Sequence, residues 1–221
     1  MTSSENIVVG SCYMLMSLVL FFTNALVFFI LIRYKEYHTS TYRIILHMIL
    51  GCLMQLCSHF VGGFMLINGE QRWTNVERIA GAWIQFGWFL YLGASLALAI
   101  DRTLTFVRIL SEHKLRADLL VPPGVYLVHA EINSSNHFLV LRSKLRLLSI
   151  SVISFLYECT YLVWFFWGTR LLNDGMLSSS IVSFLWMFDC GLFSIATILI
   201  NGSIRKKSEQ IVRAEAARER R

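Results

Sequence analysis

The sequence predicts an all-α fold, a bundle of helices crossing a membrane, on three observations. Five long apolar stretches punctuate the chain, at 7–32, 44–67, 79–100, 147–168 and 179–200. Lysine and arginine crowd into alternate connections between them. The composition is 56% hydrophobic and only 15% charged, with a mean hydropathy of +0.58, whereas a soluble domain is nearer ~45–50% apolar and ~25% charged.

Each stretch has about 22–26 residues, enough to cross a hydrocarbon core at ~1.5 Å rise per residue. The first carries no basic residue before it and is longer than a secretory apolar region, so the sequence predicts a retained span and not a cleaved leader. It ends in Arg33-Tyr34-Lys35, and a short connection leads to the second. A polar connection with Glu70, Gln71 and Trp73 precedes the third. Trp83 and Trp88 on the third stretch and Trp164 and Trp167 on the fourth fall near one membrane face, as interfacial tryptophans do.

The third stretch is rich in small residues. Gly93 and Ala97 have the spacing that lets helices approach closely, so the sequence predicts this helix at the centre of the bundle. After it, 109–141 reads as a long cytoplasmic loop. It holds both prolines, Pro122 and Pro123, and its apolar run, Leu119 to Ala130, is too short to span. One membrane domain, 1–207, is expected, followed by a basic tail, 208–221. A juxtamembrane helix lying on anionic lipid is expected from Asn201 onward, supported by Glu209 and Arg213 at i,i+4.

Of 20 basic residues, only Arg72, Arg78 and Arg170 fall on one side of the bilayer when the spans are drawn this way. The positive-inside rule then puts the N-terminus outside and the C-terminus in the cytoplasm. The net charge of +6 therefore follows topology, and no nucleic-acid partner is expected. Two sequons, Asn133-Ser134-Ser135 and Asn201-Gly202-Ser203, lie on the cytoplasmic side in this arrangement and should carry no glycan.

Chemistry-bearing motifs are sparse. The chain has no phosphate-binding loop, nucleophile elbow, zinc-protease or dinucleotide signature, so no enzyme activity and no cofactor are expected. Its six histidines lack metal-ligand spacing, and its five cysteines lie in apolar stretches without a disulfide or metal pattern. No internal repeat is visible, although many transporters are built from repeats.

Polar residues inside spans are costly, roughly 2.5–3.5 kcal/mol for a charged group on insertion scales, and so face the bundle interior. Glu158 and Asp189 are mid-span and could face each other, share a proton or line a polar pocket. Asn24 is a further core polar residue, and His47, Gln55, His59 and Gln85 could add hydrogen bonds. His59, Gln85 and Glu158 are the candidate ligand-pocket residues. Asp101 and Arg102 close the third span at its inner end, where partial desolvation strengthens their pairing. Anchoring by a snorkelling pair is the simpler role for them.

The stretch Leu96-Ala97-Leu98-Ala99-Ile100-Asp101-Arg102-Thr103-Leu104-Thr105-Phe106 resembles the inner end of the third helix of rhodopsin-like G-protein-coupled receptors. Thr23-Asn24-Ala25-Leu26-Val27 resembles their first helix. Gly191 to Lys206 resembles the last helix and its turn into a juxtamembrane helix. Within that superfamily the chain is most similar to nematode serpentine chemoreceptors of class T, through Thr41-Tyr42-Arg43-Ile44-Ile45-Leu46-His47, His59-Phe60-Val61-Gly62-Gly63 and Ala80-Gly81-Ala82-Trp83. The resemblance covers about 8–108 and 142–207.

The resemblance implies a plasma-membrane receptor of a sensory cell, with a small-molecule or peptide ligand outside and a heterotrimeric G protein inside. Asp101–Arg102 would be the conformational lock whose arginine meets the G protein. It also implies seven spans, of which the fourth and fifth are missing where 109–141 stands. Other departures are the lack of an acid in the second span, and Phe193-Ser194-Ile195-Ala196-Thr197 where the family has Asn-Pro-x-x-Tyr. Alternatives outside signalling are a small transporter or channel subunit, with Glu158, Asp189 and His59 as its polar path, or a truncated, non-signalling receptor.

Overall fold

The computed structural model describes residues 3–68, 74–118, 149, 152–167 and 175–219. Among these the chain is helical, and no strand occurs. Helix α1 runs Ser3–Arg33, a single 3-10 turn Lys35–Tyr37 follows, and α2 runs Ser40–Asn68. Then come α3, Thr74–Asp118; α4, Val152–Trp167; α5, Gly175–Ile200; and α6, Gly202–Glu219. Neither proline falls inside these helices, so nothing breaks their i→i−4 hydrogen-bond ladders.

Among the described residues, four helices are long and apolar enough to cross a bilayer: Ser4–Arg33, Ser40–Asn68, Thr74–Thr105 and Ser179–Ile200. This makes the chain an integral membrane protein. The remaining apolar stretch, 147–168, is described over 16 residues as α4, and its ends lie outside the described residues. The lipid-facing side of α1 is a stripe of exposed Val8, Leu15, Val19, Phe22 and Phe29. Such a helix is apolar all round, as a membrane span must be.

The structure moves the centre of the bundle from α3 to α2. Helix α2 packs on α1, α3 and α5, whereas α3, set against α1, α2, α5 and α6, packs extensively on α2 alone. Half of the apolar window of α2 is buried, against 17% for α3. Gly93 and Ala97 are exposed, and a Cβ on Gly93 would meet nothing. The close approach is made instead by Gly87. A Cβ there would stand 2.9 Å from the carbonyl oxygen of Gly51 on α2, and a Cβ on Gly51 would stand 2.7 Å from that of Gly87. Gly10 and Gly63 repeat this device between α1 and α2, with 2.7 Å and 2.8 Å for the same test. Where lipid offers no hydrophobic drive between helices, backbone proximity of this kind carries the packing.

Helix α3 also runs on past the membrane to Asp118, so 109–118 of the expected loop is helical. The rest of that loop, 119–141, and the sequon at Asn133 lie outside the described residues. At the other end of the chain, α5 stops at Ile200 and α6 begins at Gly202. Asn201 makes the joint: its backbone N–H donates to the Thr197 carbonyl, and its side-chain Oδ1 accepts from the N–H groups of Ser203 and Ile204 at 3.2 and 3.4 Å. This is an N-cap, satisfying donors that the first helical turn leaves open.

Candidate functional site

Polar groups are concentrated at three levels of the bundle. The innermost sits where α3 leaves the membrane. Neighbouring residues on a helix do not face each other, yet Arg102 Nη2 lies 3.0 Å from Asp101 Oδ2. The Thr41 hydroxyl at the start of α2 closes the triangle. It donates to Asp101 Oδ2 at 2.9 Å and accepts from Arg102 Nη2 at 2.5 Å. Arg102 is 7% exposed, and its Nε has no hydrogen-bond partner among the described residues.

Beside it, the turn after α1 clasps α6. Lys207 pairs with Glu36, and its ammonium lies 3.8 Å above the Tyr34 ring and 4.9 Å from that of Tyr37. Tyr37 donates to Ser203 Oγ at 3.1 Å and packs edge-on against Tyr42. Ile204 fills the interface from α6 with no exposure. Burial pushes the Tyr37 phenol above its ordinary range, against the opposing effect of the Ser203 hydrogen bond.

Asn24 forms the next level. It is fully buried and joins α1 to α5. Its Nδ2 donates to the carbonyls of Leu20 at 2.9 Å and Cys190 at 3.1 Å, while Oδ1 accepts from Ser194 Oγ at 2.6 Å. Further out on the same seam, Ser17 donates to Met187 Sδ and Tyr13 to the Ser180 carbonyl. Both polar atoms of the Asn24 amide thus have partners, as a buried amide needs.

Glu158 and Asp189 occupy the middle of the bundle, 6% and 7% exposed. Ser154, Glu158 and Tyr161 are the buried positions at i, i+4 and i+7 of α4, so one stripe turns inward. Tyr157 fastens α4 to α5 by donating to the Leu185 carbonyl at 2.9 Å. The two carboxyls are within electrostatic range of each other, and both are within range of the Tyr91 hydroxyl on α3. Glu158 Oε1, Asp189 Oδ1, Tyr91 Oη and Ser154 Oγ are all buried without a hydrogen-bond partner among the described residues. No ion pair reaches either acid among these residues.

Just outward of the acids lies an aromatic cluster. Trp186 on α5 donates to Gln55 Oε1 at 2.5 Å, meets His59 edge to face at 5.6 Å, and meets Tyr161 at 6.2 Å. Tyr157 packs on Phe188 at 5.7 Å. His59 is 9% exposed, and its Nε2 has no hydrogen-bond partner among the described residues. Gln85 does not join this group, because it lies on the exposed side of α3. His47 is likewise exposed and bonds back to the Arg43 carbonyl of its own helix.

Of the residues the sequence singled out, Asn24, His59, Glu158 and Asp189 are buried in the bundle, and Asp101 and Arg102 pair where α3 leaves it. The sequence missed Thr41, Tyr91, Trp186 and the Glu36–Lys207 clasp. Each of these acts through a partner far away in sequence. All five cysteines are free thiols. No group of His, Cys, Asp and Glu side chains able to hold a metal ion forms among the described residues. No protein-family model, curated protein or solved structure matches the chain.

Proposed function

We propose that this integral membrane protein is a serpentine chemosensory receptor that carries an external chemical signal to a G protein at its cytoplasmic face. One observation supports this reading above others: Arg102 is tethered at the inner end of α3 by Asp101 and by Thr41 of α2. A tether joining two helices at the membrane's inner edge is a two-state element. Closed, it occupies the guanidinium; open, it frees it for a partner.

The energies suit a switch. Asp101 is 31% exposed, so the ion pair contributes about 0–1 kcal/mol after solvent screening. The Thr41 hydrogen bonds, both to charged groups, add about 1.5–3 kcal/mol each. A ligand that prefers one bundle arrangement by about 5.5 kcal/mol would drive the switch from 1:99 to 99:1. The turn at Asn201 into α6 also agrees with what the resemblance implies for the last span. In this reading the protein sits in the plasma membrane of a sensory cell.

The test is a reporter assay in cells expressing the chain with a heterotrimeric G protein. Arg102→Ala should abolish signalling while surface delivery and helix content stay unchanged. Thr41→Val, which keeps the shape and loses both hydrogen bonds, should raise ligand-independent signalling. Normal signalling by Arg102→Ala would overturn the role of this arginine.

A second reading, a small transporter or channel subunit, is favoured by the mid-membrane acids, which form no ion pair among the described residues. It requires solute flux in proteoliposomes, which a receptor does not produce.

A further inference from the structure

The mid-membrane acids are the feature of the bundle that packing leaves unexplained. Two carboxyls are buried together with no Lys, Arg or His⁺ paired to either among the described residues. Each retains an oxygen without a hydrogen-bond partner among the described residues. A buried carboxyl without a partner is expensive, and structural roles for such groups normally end in a hydrogen bond, as Asn24 shows one level inward.

Tyr91 adds a third polar group in need of a partner beside the acids. Its ring is 2% exposed and its hydroxyl has no hydrogen-bond partner among the described residues. A buried phenol almost always finds an acceptor, and this one comes from a different helix into the range of both carboxyls. Helices α3 and α5 both pack on α2 and make no extensive contact with each other.

The surrounding chemistry defines the missing group. Two acids call for a positive charge. Tyr157, Tyr161 and Trp186 supply ring faces that attract a cation and an apolar lining that suits a carbon skeleton. We propose that Glu158, Asp189 and the Tyr91 hydroxyl recognise the ammonium head of a small organic amine, whose apolar part lies among Tyr157, Tyr161 and Trp186. The proposal rests on the receptor reading for the source of the amine, an external ligand; the site itself is defined by its residues.

The experiment uses the full chain purified in lipid nanodiscs. Thermal unfolding is followed with a panel of alkyl and arylalkyl amines, phenethylamine among them, each beside its neutral alcohol isostere. At least one amine should raise the midpoint where its alcohol does not. Asp189→Asn and Glu158→Gln, which keep size and remove charge, should each weaken binding about 30-fold or more, since truncating a buried charge pair costs about 2 kcal/mol at least. Tyr161→Leu should weaken it less.

Equal effects of amine and alcohol, or none across the panel, would overturn the proposal. So would stabilisation by sodium ions alone, which would mark an inorganic-cation site. Amine binding in a chain that never signals would leave this site standing and remove the coupling role of Arg102. Signalling to neutral ligands without amine binding would do the reverse.

Discussion

At the scale of single residues, the inner rim shows how burial is converted into a condition for assembly. Tyr37 is 5% exposed and lies between Tyr42, Lys207 and Ser203. Burial favours its neutral form, so its folded-state pKa lies above the ordinary value of 10.0. A group whose folded pKa is raised stabilises fully below its unfolded pKa and loses that stabilisation as pH rises through the folded one. The clasp between the turn and α6 should therefore hold below pH 10 and loosen above it. Hydrogen exchange of the α6 amides across an alkaline titration would show the step. Tyr37→Phe keeps the ring, removes the titrating hydroxyl and should abolish the step; an unchanged alkaline transition in that variant would assign it to another group.

Helix by helix, packing is decided by where two backbones touch. Gly51 and Gly87 meet carbonyl to Cα across α2 and α3, and Gly93 meets nothing. Gly51→Ala sets a methyl against the backbone of α3, which cannot retreat as a flexible side chain would. The expected loss is about 1–3 kcal/mol, the usual cost of overpacking. Gly93→Ala adds a better helix former on an exposed face and should be neutral or stabilising by up to ~1 kcal/mol. Denaturant unfolding of both variants in mixed micelles separates the two sites. Equal effects would mean that the contact between α2 and α3 does not run through Gly51. The same pair shows what sequence could and could not disclose. Small residues on α3 announced a close approach, but Gly87, Gly93 and Ala97 are alike as letters. Which of them meets a neighbour depends on the rotation of α3 about its own axis, and that is set by Gly51 and Tyr91 together.

Across the whole molecule, what was legible follows from the solvent. A bilayer requires every backbone polar group to be satisfied within its own helix, so apolar length alone disclosed the class of fold and the positions of α1, α2, α3 and α5. Helix ends were less legible. The third helix runs to Asp118 because nothing between Arg102 and Asp118 breaks it; the first strong breaker is Pro122. Lateral neighbours were illegible, because Thr41 and Arg102 are 61 positions apart and Gln55 and Trp186 are 131 apart. Charge carries the remaining information, the orientation. If the chain has the five expected spans, only Arg72, Arg78 and Arg170 of its 20 basic residues fall on one side, a bias far larger than a single substitution can reverse. An epitope tag at the N-terminus should be accessible on intact cells, and one at the C-terminus only after permeabilisation. The clasp sharpens the test, since Glu36 and Lys207 pair directly and must share a face. Cysteine probes at both positions should react from the cytoplasmic side. Labelling of either from outside would invert the bundle and would put Arg102 on the wrong face for a G protein.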